Sequence, residues 1–263
     1  MTYGFIGCGN MGGALAKAVA KTERALLLAD HDAAKAAALA DEVGAKTVDN
    51  ATVAATCERI FLGVKPQVMS EMLRALKENF PQKKPLLITM AAGLTMAQIE
   101  EMAGGDVPVI RIMPNTPVVV GKGMVLCCKN RLVTEETFRS FWQDMRYAGE
   151  LDEIDETLMD AGCSVSGCGP AYMYLFLEAL AKGAEECGLS REKALRYAAV
   201  TMAGAAEMVL TSGVSPELLR KAVCSPGGST LAGIDALEKN GFSAASAVGV
   251  KAAYRRNQEL GKA

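Results

Sequence analysis

The stretch Tyr3-Gly4-Phe5-Ile6-Gly7-Cys8-Gly9-Asn10-Met11-Gly12 decides the fold of this chain of 263 residues. Its apolar start, Tyr3–Ile6, predicts a strand, and the amphipathic segment after it predicts a helix. The pattern G-x-G-x-x-G between them gives its glycines separate tasks. Gly7 permits a tight turn, Gly9 lets a pyrophosphate approach the backbone, and Gly12 permits close packing of helix on strand. Because a helix N-terminus is partly positive, the stretch predicts a dinucleotide site.

The second predicted strand, Ala25–Ala29, is followed by an acidic residue at the distance that this pattern requires. Asp30 is placed to accept a hydrogen bond from the ribose 2′-hydroxyl of NAD, and its charge would repel the 2′-phosphate of NADP. Two alternatives to this role of Asp30 stay open. Its side chain could point away from the ribose, or Lys35 in the next helix could bind the 2′-phosphate of NADP. Lys35 could also be an ordinary solvated surface lysine. The choice between NAD and NADP is therefore left open.

Two further loops lie at the carboxyl ends of predicted strands, where open α/β sheets bind ligands. Gly63-Val64-Lys65-Pro66-Gln67 ends the fourth strand, and Met90-Ala91-Ala92-Gly93 ends the fifth. The small side chains of the second loop leave room for a nicotinamide ring. A plain strand-exit turn would explain either loop alone, so the prediction of a cofactor site depends on both having this position.

Strands and helices alternate in the first part of the chain, which predicts a doubly wound parallel sheet of the Rossmann type. Predicted strands of apolar, β-branched composition lie at residues 3–6, 25–29, 45–48, 59–64, 85–90, 107–112 and 124–128. Beyond about residue 152 only helices are predicted, at 153–163, 169–187, 190–211, 216–223, 229–239 and 243–260. We expect an α/β dinucleotide-binding domain over residues 1–152 and an all-helical substrate and dimerisation domain over residues 153–263.

A glycine turn in the second predicted domain, Ser225-Pro226-Gly227-Gly228-Ser229-Thr230, precedes a helix. Free N–H groups at a helix start favour a carboxylate or phosphate site. The alternative, which the sequence does not separate from this one, is a capped loop in which Ser229 or Thr230 is the N-cap. A similar turn, Ser166-Gly167-Cys168-Gly169-Pro170-Ala171-Tyr172, is interpreted first as close backbone packing at the start of a helix.

Composition excludes several classes of function. A net charge of −2, from 28 basic and 30 acidic residues, removes the usual electrostatic basis for binding nucleic acid or an anionic membrane. No apolar run approaches the ~18 residues of a membrane span, and the N-terminus does not resemble a secretory signal. Eight cysteines without a C-x-x-C pair, and one histidine, predict no metal site and reduced thiols in a cytoplasmic protein.

The single histidine also bears on the chemistry. Dehydrogenases of alcohols and hydroxy acids normally need a general acid or base near the carbonyl group. His31 lies in the loop after the second predicted strand, beside the expected adenosine end, where an exposed side chain is expected. A C=N substrate avoids this need, because a protonated iminium accepts hydride directly, and the site only has to orient the ring and hold its carboxylate.

The chain resembles the Δ1-pyrroline-5-carboxylate reductase family over essentially its whole length. Six stretches carry the resemblance: residues 4–11, Val64-Lys65-Pro66, Ala91-Ala92-Gly93, Arg111-Ile112-Met113-Pro114-Asn115-Thr116-Pro117, residues 166–172, and Val223-Cys224-Ser225-Pro226-Gly227-Gly228-Ser229-Thr230. The last stretch and the Met-Pro-Asn-Thr-Pro run are highly specific in combination. The resemblance implies reduction of 1-pyrroline-5-carboxylate to L-proline, the last step of proline biosynthesis, with NADPH or NADH.

The resemblance also implies roles for particular residues. The family's cofactor contacts fall on Ile6-Gly7-Cys8-Gly9-Asn10-Met11, on Asn50 at the ribose, and on the loops after the fourth and fifth strands. Its substrate pocket falls on the turn from Ser225 to Thr230, with the Thr230 hydroxyl toward the ring nitrogen. Its helical domain interlocks with a second chain, so that a homodimer completes the active site, and larger rings of dimers occur. The helix predicted over residues 171–187 is apolar nearly all round, which independently indicates burial against a partner chain.

The chain departs from the family pattern at two places. Cys168 stands where serine is usual, and Asp30-His31-Asp32 follows the second strand where many members have serine or asparagine. Two other functions compete with the one that the resemblance implies. A β-hydroxyacid dehydrogenase would carry a lysine where this chain has Met173, which cannot act as an acid or base. A non-catalytic dinucleotide sensor would not need an intact turn at residues 225–230.

Overall fold

The structure, a computed structural model, describes residues 1–261. Over this range eight strands are formed: β1 (Thr2–Ile6), β2 (Ala25–Ala29), β3 (Lys46–Thr47), β4 (Arg59–Leu62), β5 (Leu86–Thr89), β6 (Val109–Met113), β7 (Gly123–Lys129) and β8 (Gly149–Glu153). They make one sheet in the order β3-β2-β1-β4-β5-β6-β7-β8. The order reverses between β1 and β4, which is the arrangement of a doubly wound fold.

Twelve α-helices lie in the described residues. They are α1 (Asn10–Ala20), α2 (Ala33–Val43), α3 (Asn50–Thr56), α4 (Pro66–Leu76), α5 (Met96–Met102), α6 (Glu135–Asp144), α7 (Met159–Val165), α8 (Gly169–Glu186), α9 (Arg191–Ser212), α10 (Pro216–Ala222), α11 (Ser229–Lys239) and α12 (Phe242–Leu260). Short polar side chains cap the N-termini of several of these helices. Asp32 caps α2, and Thr95 caps α5 in a reciprocal pair with Gln98, so the first N–H groups of these helices find acceptors.

The predicted doubly wound α/β sheet is confirmed, with one correction. Strands β1 to β6 pair in parallel, but β7 runs antiparallel to β6, with Arg111 opposite Cys128. The connection between them holds a single 3-10 turn, Thr116–Val120, which ends at Gly121 with φ 69°. A parallel pair needs a crossover of about a dozen residues or more, usually helical, so this short connection returns the chain in the opposite direction.

Apolar side chains pack on both faces of the sheet. On one face, Leu15 of α1 and Phe141 of α6 pack in the same core as Phe5 of β1. On the other face, Leu73 of α4 packs in the same core as Leu62 of β4. All five side chains are fully buried. Burial of each contributes about 1.5–3 kcal/mol, so helices on both faces are needed to cover strands that are apolar on both sides.

A buried polar network joins β1, β4 and α6. Tyr3 Oη donates to Asp144 Oδ2 at 2.7 Å, and Arg59 donates to the same oxygen at 3.1 Å and to Tyr3 Oη at 2.6 Å. Asp144 and Arg59 are 1% and 3% exposed. Burial raises the pKa of Tyr3, so the phenol stays protonated and donates. Arg24, whose side chain is 36% exposed, adds a contact to Asp144 Oδ1 at 3.0 Å.

Strand β8 and the helix after it differ from the prediction. Residues 149–153 read Gly-Glu-Leu-Asp-Glu, and three acidic residues in five hide a strand from a search for apolar runs. Charges are common on edge strands, because they oppose pairing with a second chain. The helix predicted over 153–163 is instead a single 3-10 turn, Glu156–Leu158, followed by α7.

The chain divides into two compact units at a different place from the predicted boundary between residues 152 and 153. The first unit holds residues 1–168 and also 253–261, and the second holds residues 169–252. Met159 of α7 is fully buried in a core of the first unit. Near the end of α12, Asn257 donates to the carbonyl oxygen of Asp160 at 3.1 Å. These contacts bind both segments to the sheet.

The second unit is made of helices with clear end signals. Ser190 caps α9 and Ser215 caps α10, where Pro216 occupies the first turn, as the sequence indicates. Its apolar side chains are mostly exposed: between residues 169 and 252 only Ala181 and Ala194 are buried hydrophobic residues. Over residues 1–261 no single helix is long and apolar enough to cross a membrane. The helices α9 and α10 meet that test only as a pair, with a bend of 120° between them.

Candidate functional site

The glycine loop between β1 and α1 has an open side. Gly7 has φ 99°, which glycine adopts without strain. A Cβ on Gly12 would lie 2.1 Å from the Gly7 carbonyl oxygen, so α1 packs directly on the loop. A Cβ on Gly9 would meet nothing within 4 Å. The turn at Gly7 and the close packing at Gly12 have the predicted geometry, and the space beside Gly9 is free for a ligand.

The loop after β4 lies against this glycine loop. Gly63 donates its N–H to the carbonyl oxygen of Ile6 at 2.7 Å, and a Cβ on Gly63 would lie 2.6 Å from the oxygen of Gly7. Lys65 is exposed and precedes α4, which starts with Pro66 at its first position. The two loops therefore meet at the point where the strand order reverses, which is where doubly wound sheets bind dinucleotides.

Asp30 is held by backbone groups, and no sequence signal indicated this. Its side chain is 5% exposed, and Oδ2 accepts the Cys8 N–H at 2.6 Å. Oδ1 accepts the Asp32 N–H at 2.9 Å and lies 2.9 Å from Nδ1 of the exposed His31. Burial favours a higher pKa, but the N–H groups of Asp32 and Cys8 outweigh it and hold the pKa of Asp30 below its usual range. The ionised carboxylate thus ties the glycine loop to the end of β2, and its role toward a ribose stays a prediction.

Cys8, within the glycine loop, is not an activated thiol. Burial raises the pKa of its thiol to about 11, and the carboxylate of Asp30 acts in the same direction. Its Sγ lies 3.7 Å from the carbonyl oxygen of Ala29. A protonated, buried thiol is a poor nucleophile, so the loop offers its backbone and not covalent chemistry.

A cavity of about 660 Å³ opens at the carboxyl end of β2. Asp30 lines it, together with Asn50 at the start of α3. Asp49, the N-cap of α3, and Glu71 of α4 are also in its wall. The structure therefore brings the two residues predicted at the ribose, Asp30 and Asn50, to one cavity of the size that ligands occupy.

The loop after β5 is held from two sides. The Ala91 N–H donates to Thr89 Oγ1 at 3.3 Å, and Ala91 is buried whereas Ala92 is exposed. Gly93 has φ 81°, and a Cβ there would lie 2.7 Å from the carbonyl oxygen of Leu260. The C-terminal end of α12 thus packs on this loop, which only glycine at this position permits.

The turn at residues 225–230 forms an uncapped helix start in the second unit. Gly228 is the N-cap of α11 and supplies no side chain to its first N–H groups. The alternative in which Ser229 or Thr230 is the N-cap is therefore wrong, because these residues occupy the first two helical positions. Gly227 has φ 73°, and the Gly228 N–H donates to the carbonyl oxygen of Ser225 at 3.0 Å.

Thr230 and Ser229 are exposed at this helix start. Among the described residues, none forms a hydrogen bond with the Thr230 hydroxyl. The first N–H groups of α11 are free of side-chain acceptors and carry the positive end of the helix dipole. The arrangement can hold an anion at the backbone and present a hydroxyl beside it, which is the role that the sequence suggested and that stays a prediction.

Asn115 is a residue to which sequence reasoning gave no role of its own. It is 9% exposed, and its Oδ1 accepts the Met124 N–H at 2.9 Å while Nδ2 donates to the Ser166 carbonyl oxygen at 2.9 Å. The loop after β6 is thereby joined to the turn after α7. The only sequence signal was the asparagine between two prolines. A Cβ on Gly167 would lie 2.8 Å from Cys163 Sγ, which agrees with close packing at this turn.

The fold and its glycine loop define a dinucleotide-binding α/β protein with a helical second unit. A family model described as pyrroline-5-carboxylate reductase dimerisation matches residues 156–260, and one described as NADP oxidoreductase, coenzyme F420-dependent, matches residues 2–93. The chain is 36% identical to the pyrroline-5-carboxylate reductase of Escherichia coli, over 98% of each chain. It is 41% identical to that of Synechocystis sp., over 81% of this chain and 79% of the relative.

Solved structures agree with these relatives. The crystal structure of Plasmodium falciparum pyrroline carboxylate reductase with NADP bound is similar, with a TM-score of 0.89 and 32% identity over 99% of this chain and 98% of that one. The chain therefore belongs to the pyrroline-5-carboxylate reductase family, and the resemblance inferred from its motifs is confirmed.

Proposed function

We propose that this chain reduces 1-pyrroline-5-carboxylate to L-proline with NADPH or NADH, the last step of proline biosynthesis. One observation carries the proposal: the family turn at residues 225–230 forms an exposed, uncapped helix start, in a chain similar over its length to relatives named for this reaction. The fold supplies the cofactor half of the reaction, and this turn supplies an anion site suited to the substrate carboxylate.

The cofactor would be held by the carboxyl edge of the first unit. The open space beside Gly9 and the N-terminus of α1 suit a pyrophosphate, and the cavity at Asp30 and Asn50 suits the adenosine ribose. The backbone of Cys8, Asn10 and Met11 would line the phosphates. The loops Gly63-Val64-Lys65-Pro66 and Ala91-Ala92-Gly93 would lie along the nicotinamide half. When bound, the reduced nicotinamide supplies the hydride.

The substrate would be held by the second unit. The N–H groups near Gly227, Gly228 and Ser229 would bind its carboxylate, and Ser225 would close the turn through its carbonyl oxygen. The Thr230 hydroxyl would meet the ring nitrogen and keep the ring in one orientation. No titrating side chain is needed at the carbon that accepts hydride, since the protonated imine is already electrophilic. This fits a turn made of backbone groups and hydroxyls.

We also propose that the chain acts as a homodimer or a larger assembly of dimers. The support is the exposure of apolar side chains on α8, where Met173, Tyr174 and Leu175 are 47%, 55% and 68% exposed. Several large apolar side chains exposed on one helix are typical of an interface in native proteins. The match to a dimerisation family over residues 156–260 covers the same helices.

A cytoplasmic location is the last part of the proposal. All eight cysteines are free, and Cys57 and Cys163, like Cys8, have thiol pKa values that burial raises to about 11. Unpaired thiols in this number are typical of a reducing compartment.

The direct test of the reaction uses purified enzyme and the absorbance of the reduced nicotinamide. We expect NADPH or NADH to be oxidised when 1-pyrroline-5-carboxylate is added, with L-proline as product. We expect no reduction of NADP or NAD with a 3-hydroxy acid, which a β-hydroxyacid dehydrogenase would show. Failure to consume reduced cofactor with the cyclic imine, in a protein that binds the cofactor, would overturn the proposed reaction.

A glycine pair tests the cofactor site. Gly9→Val places its side chain in open space, so the protein should fold while its affinity for NAD(P)H falls by about 100-fold or more, because the side chain fills the pyrophosphate position. Gly12→Val is the matched control. Its Cβ would lie 2.1 Å from a backbone oxygen, so it should lower the melting temperature instead. Unchanged affinity of Gly9→Val in titration calorimetry would contradict the site.

A further inference from the structure

The cavity beside β2 is lined by acidic side chains. Asp30, Asp49 and Glu71 lie in its wall, and among the described residues that line it none is lysine or arginine. The same cavity contains Asn50 and the end of β2, so it is the place proposed for the adenosine ribose. Any anionic group added to that ribose would therefore meet a wall of carboxylates with no lysine or arginine among its described residues.

Two of these carboxylates are held in their ionised form by neighbouring donors. The N–H groups of Asp32 and Cys8 outweigh burial and lower the pKa of Asp30. The hydroxyl and N–H of Thr52 lower the pKa of Asp49, whose Oδ1 accepts that N–H at 2.7 Å. Both side chains thus carry full charge at neutral pH, and the described residues of the cavity wall include no lysine or arginine that would neutralise them. The one imidazole in the wall, that of the exposed His31, lies 2.9 Å from Asp30 Oδ1.

The N-terminus of α2, which follows β2, is already occupied by an anion. Asp32 is its N-cap, and Oδ1 accepts the N–H groups of Ala34 at 3.2 Å and Lys35 at 3.3 Å. The Lys35 ammonium lies 3.6 Å from the other oxygen of Asp32. The helix end and the first-turn lysine, which would otherwise attract a phosphate, are therefore both balanced by this one carboxylate.

We propose that this chain selects NADH over NADPH, because the carboxylates of Asp30, Asp49 and Glu71 repel the 2′-phosphate of NADPH, while Asp32 occupies the helix end and the lysine that would otherwise attract it. A phosphate monoester carries a charge of about −1.5 to −2 at neutral pH, whereas the ribose hydroxyl of NADH is neutral and donates to carboxylates. The inference rests on the proposed function, since it concerns the cofactor of that same reaction.

The adenosine end is tested alone with ADP-ribose and 2′-phospho-ADP-ribose, titrated into the full-length protein by calorimetry. We expect ADP-ribose to bind at least about tenfold more tightly, and kcat/KM with NADH to exceed that with NADPH by a similar factor. Because screening weakens repulsion between exposed charges, the preference should shrink as salt concentration rises. Equal affinity, or tighter binding of the 2′-phospho compound, would overturn the inference.

Charge removal identifies the source of the preference. Asp32→Asn keeps an N-cap acceptor for α2, removes one charge and releases Lys35, so the preference for NADH should fall by about threefold or more. Glu71→Gln should act in the same direction in the wall of the cavity. Asp155→Asn is the matched control, because it is also a carboxylate cap, on the 3-10 turn Glu156–Leu158, and does not line the cavity. A preference unchanged by both Asp32→Asn and Glu71→Gln would overturn the electrostatic origin.

Failure of this inference and failure of the proposed function give different results. A protein that reduces the cyclic imine with NADPH in preference to NADH retains the function and overturns the inference. A protein that binds neither ADP-ribose compound and oxidises neither cofactor overturns both.

Discussion

The two units, residues 1–168 and residues 169–252, differ in how far their apolar side chains are buried. The first unit covers its sheet on both faces and places large side chains such as Phe5, Phe61 and Phe141 out of solvent entirely. In the second unit the only buried hydrophobic residues are Ala181 and Ala194, and large side chains such as Leu175 and Leu210 are 68% and 77% exposed. Both units are rich in apolar residues, so composition does not separate them.

The difference shows that local signals can specify a helix even where its apolar side chains are not buried within the same unit. The helices of the second unit have caps and turn signals of their own, so they are specified locally. Phe176 packs on Phe242 at 5.2 Å between ring centroids, but most large apolar side chains of these helices stay exposed within residues 169–252. In the first unit helices pack on both faces of the sheet, so the apolar side chains of helices and strands are buried within one chain. The exposed apolar side chains of the second unit are the observation that supports the homodimer proposed above.

The largest expected effect is on assembly. Leu175→Glu puts a charge on the exposed apolar face of α8, so desolvating it at an interface should weaken self-association by at least about 100-fold in Kd. Light scattering at several protein concentrations measures the mass. Leu132→Glu, on an exposed position of the first unit, is the control and should leave the mass unchanged. A fully active wild-type monomer at assay concentration would remove the need for a partner chain.

The next effect tests the closed core of the first unit. Arg59→Met leaves the buried carboxylate of Asp144 without its main cation, which should cost about 3–5 kcal/mol of unfolding free energy. Arg24→Met removes a partly exposed partner of the same carboxylate and should cost about 1 kcal/mol or less. Denaturant unfolding can be followed by Trp142, which packs on Phe138 at 5.6 Å between ring centroids. Equal losses for the two arginines would mean that burial does not set the strength of this network.

A third experiment asks whether the exposed second unit carries chemistry. The Thr230→Val variant keeps the shape of the side chain and removes its hydroxyl, so kcat should fall roughly 10–150-fold, the value of one hydrogen bond of ~1.5–3 kcal/mol. The contact changes as hydride neutralises the ring nitrogen, so kcat should respond more than KM. Thr230→Ser retains the hydroxyl and should retain most activity. If Thr230→Val lowers the melting temperature and leaves kcat near normal, the residue only supports its helix.

The smallest effect concerns the link between β2 and the glycine loop. The pKa of folded Asp30 is lowered, so the stability that its carboxylate contributes is present above the unfolded pKa and lost as pH falls through the folded pKa. Asp30→Asn should cost about 1–2 kcal/mol at neutral pH, and the gap from wild type should close in acid. Asp41→Asn, on an exposed position of α2, is the control and should show no such closing. A gap that is constant with pH would mean that the charge of Asp30 is not what holds the loop.

Local sequence patterns were sufficient for most of the elements and for the shape of the glycine loop. The glycine spacing at Gly7, Gly9 and Gly12 predicted the turn and the packing that the structure shows. Helix ends were predicted within a few residues, since caps such as Ser190 and Ser215 act on N–H groups three residues away. The exposed position of His31 was also predicted correctly.

Only the tertiary structure decided which distant residues meet. Strand β8 was missed, because an acidic edge strand forms only when β7 offers it a neighbour, and β7 itself reverses because its connection is too short to cross over. The boundary of the units depends on the return of α12 to the sheet, 97 residues from its contact at Asp160. Asp30 binds Cys8 N–H across 22 residues, and Asn115 binds Ser166 across 51. Periodicity and capping act over a few residues, whereas these contacts depend on how the whole chain folds back on itself, so no local pattern contains them.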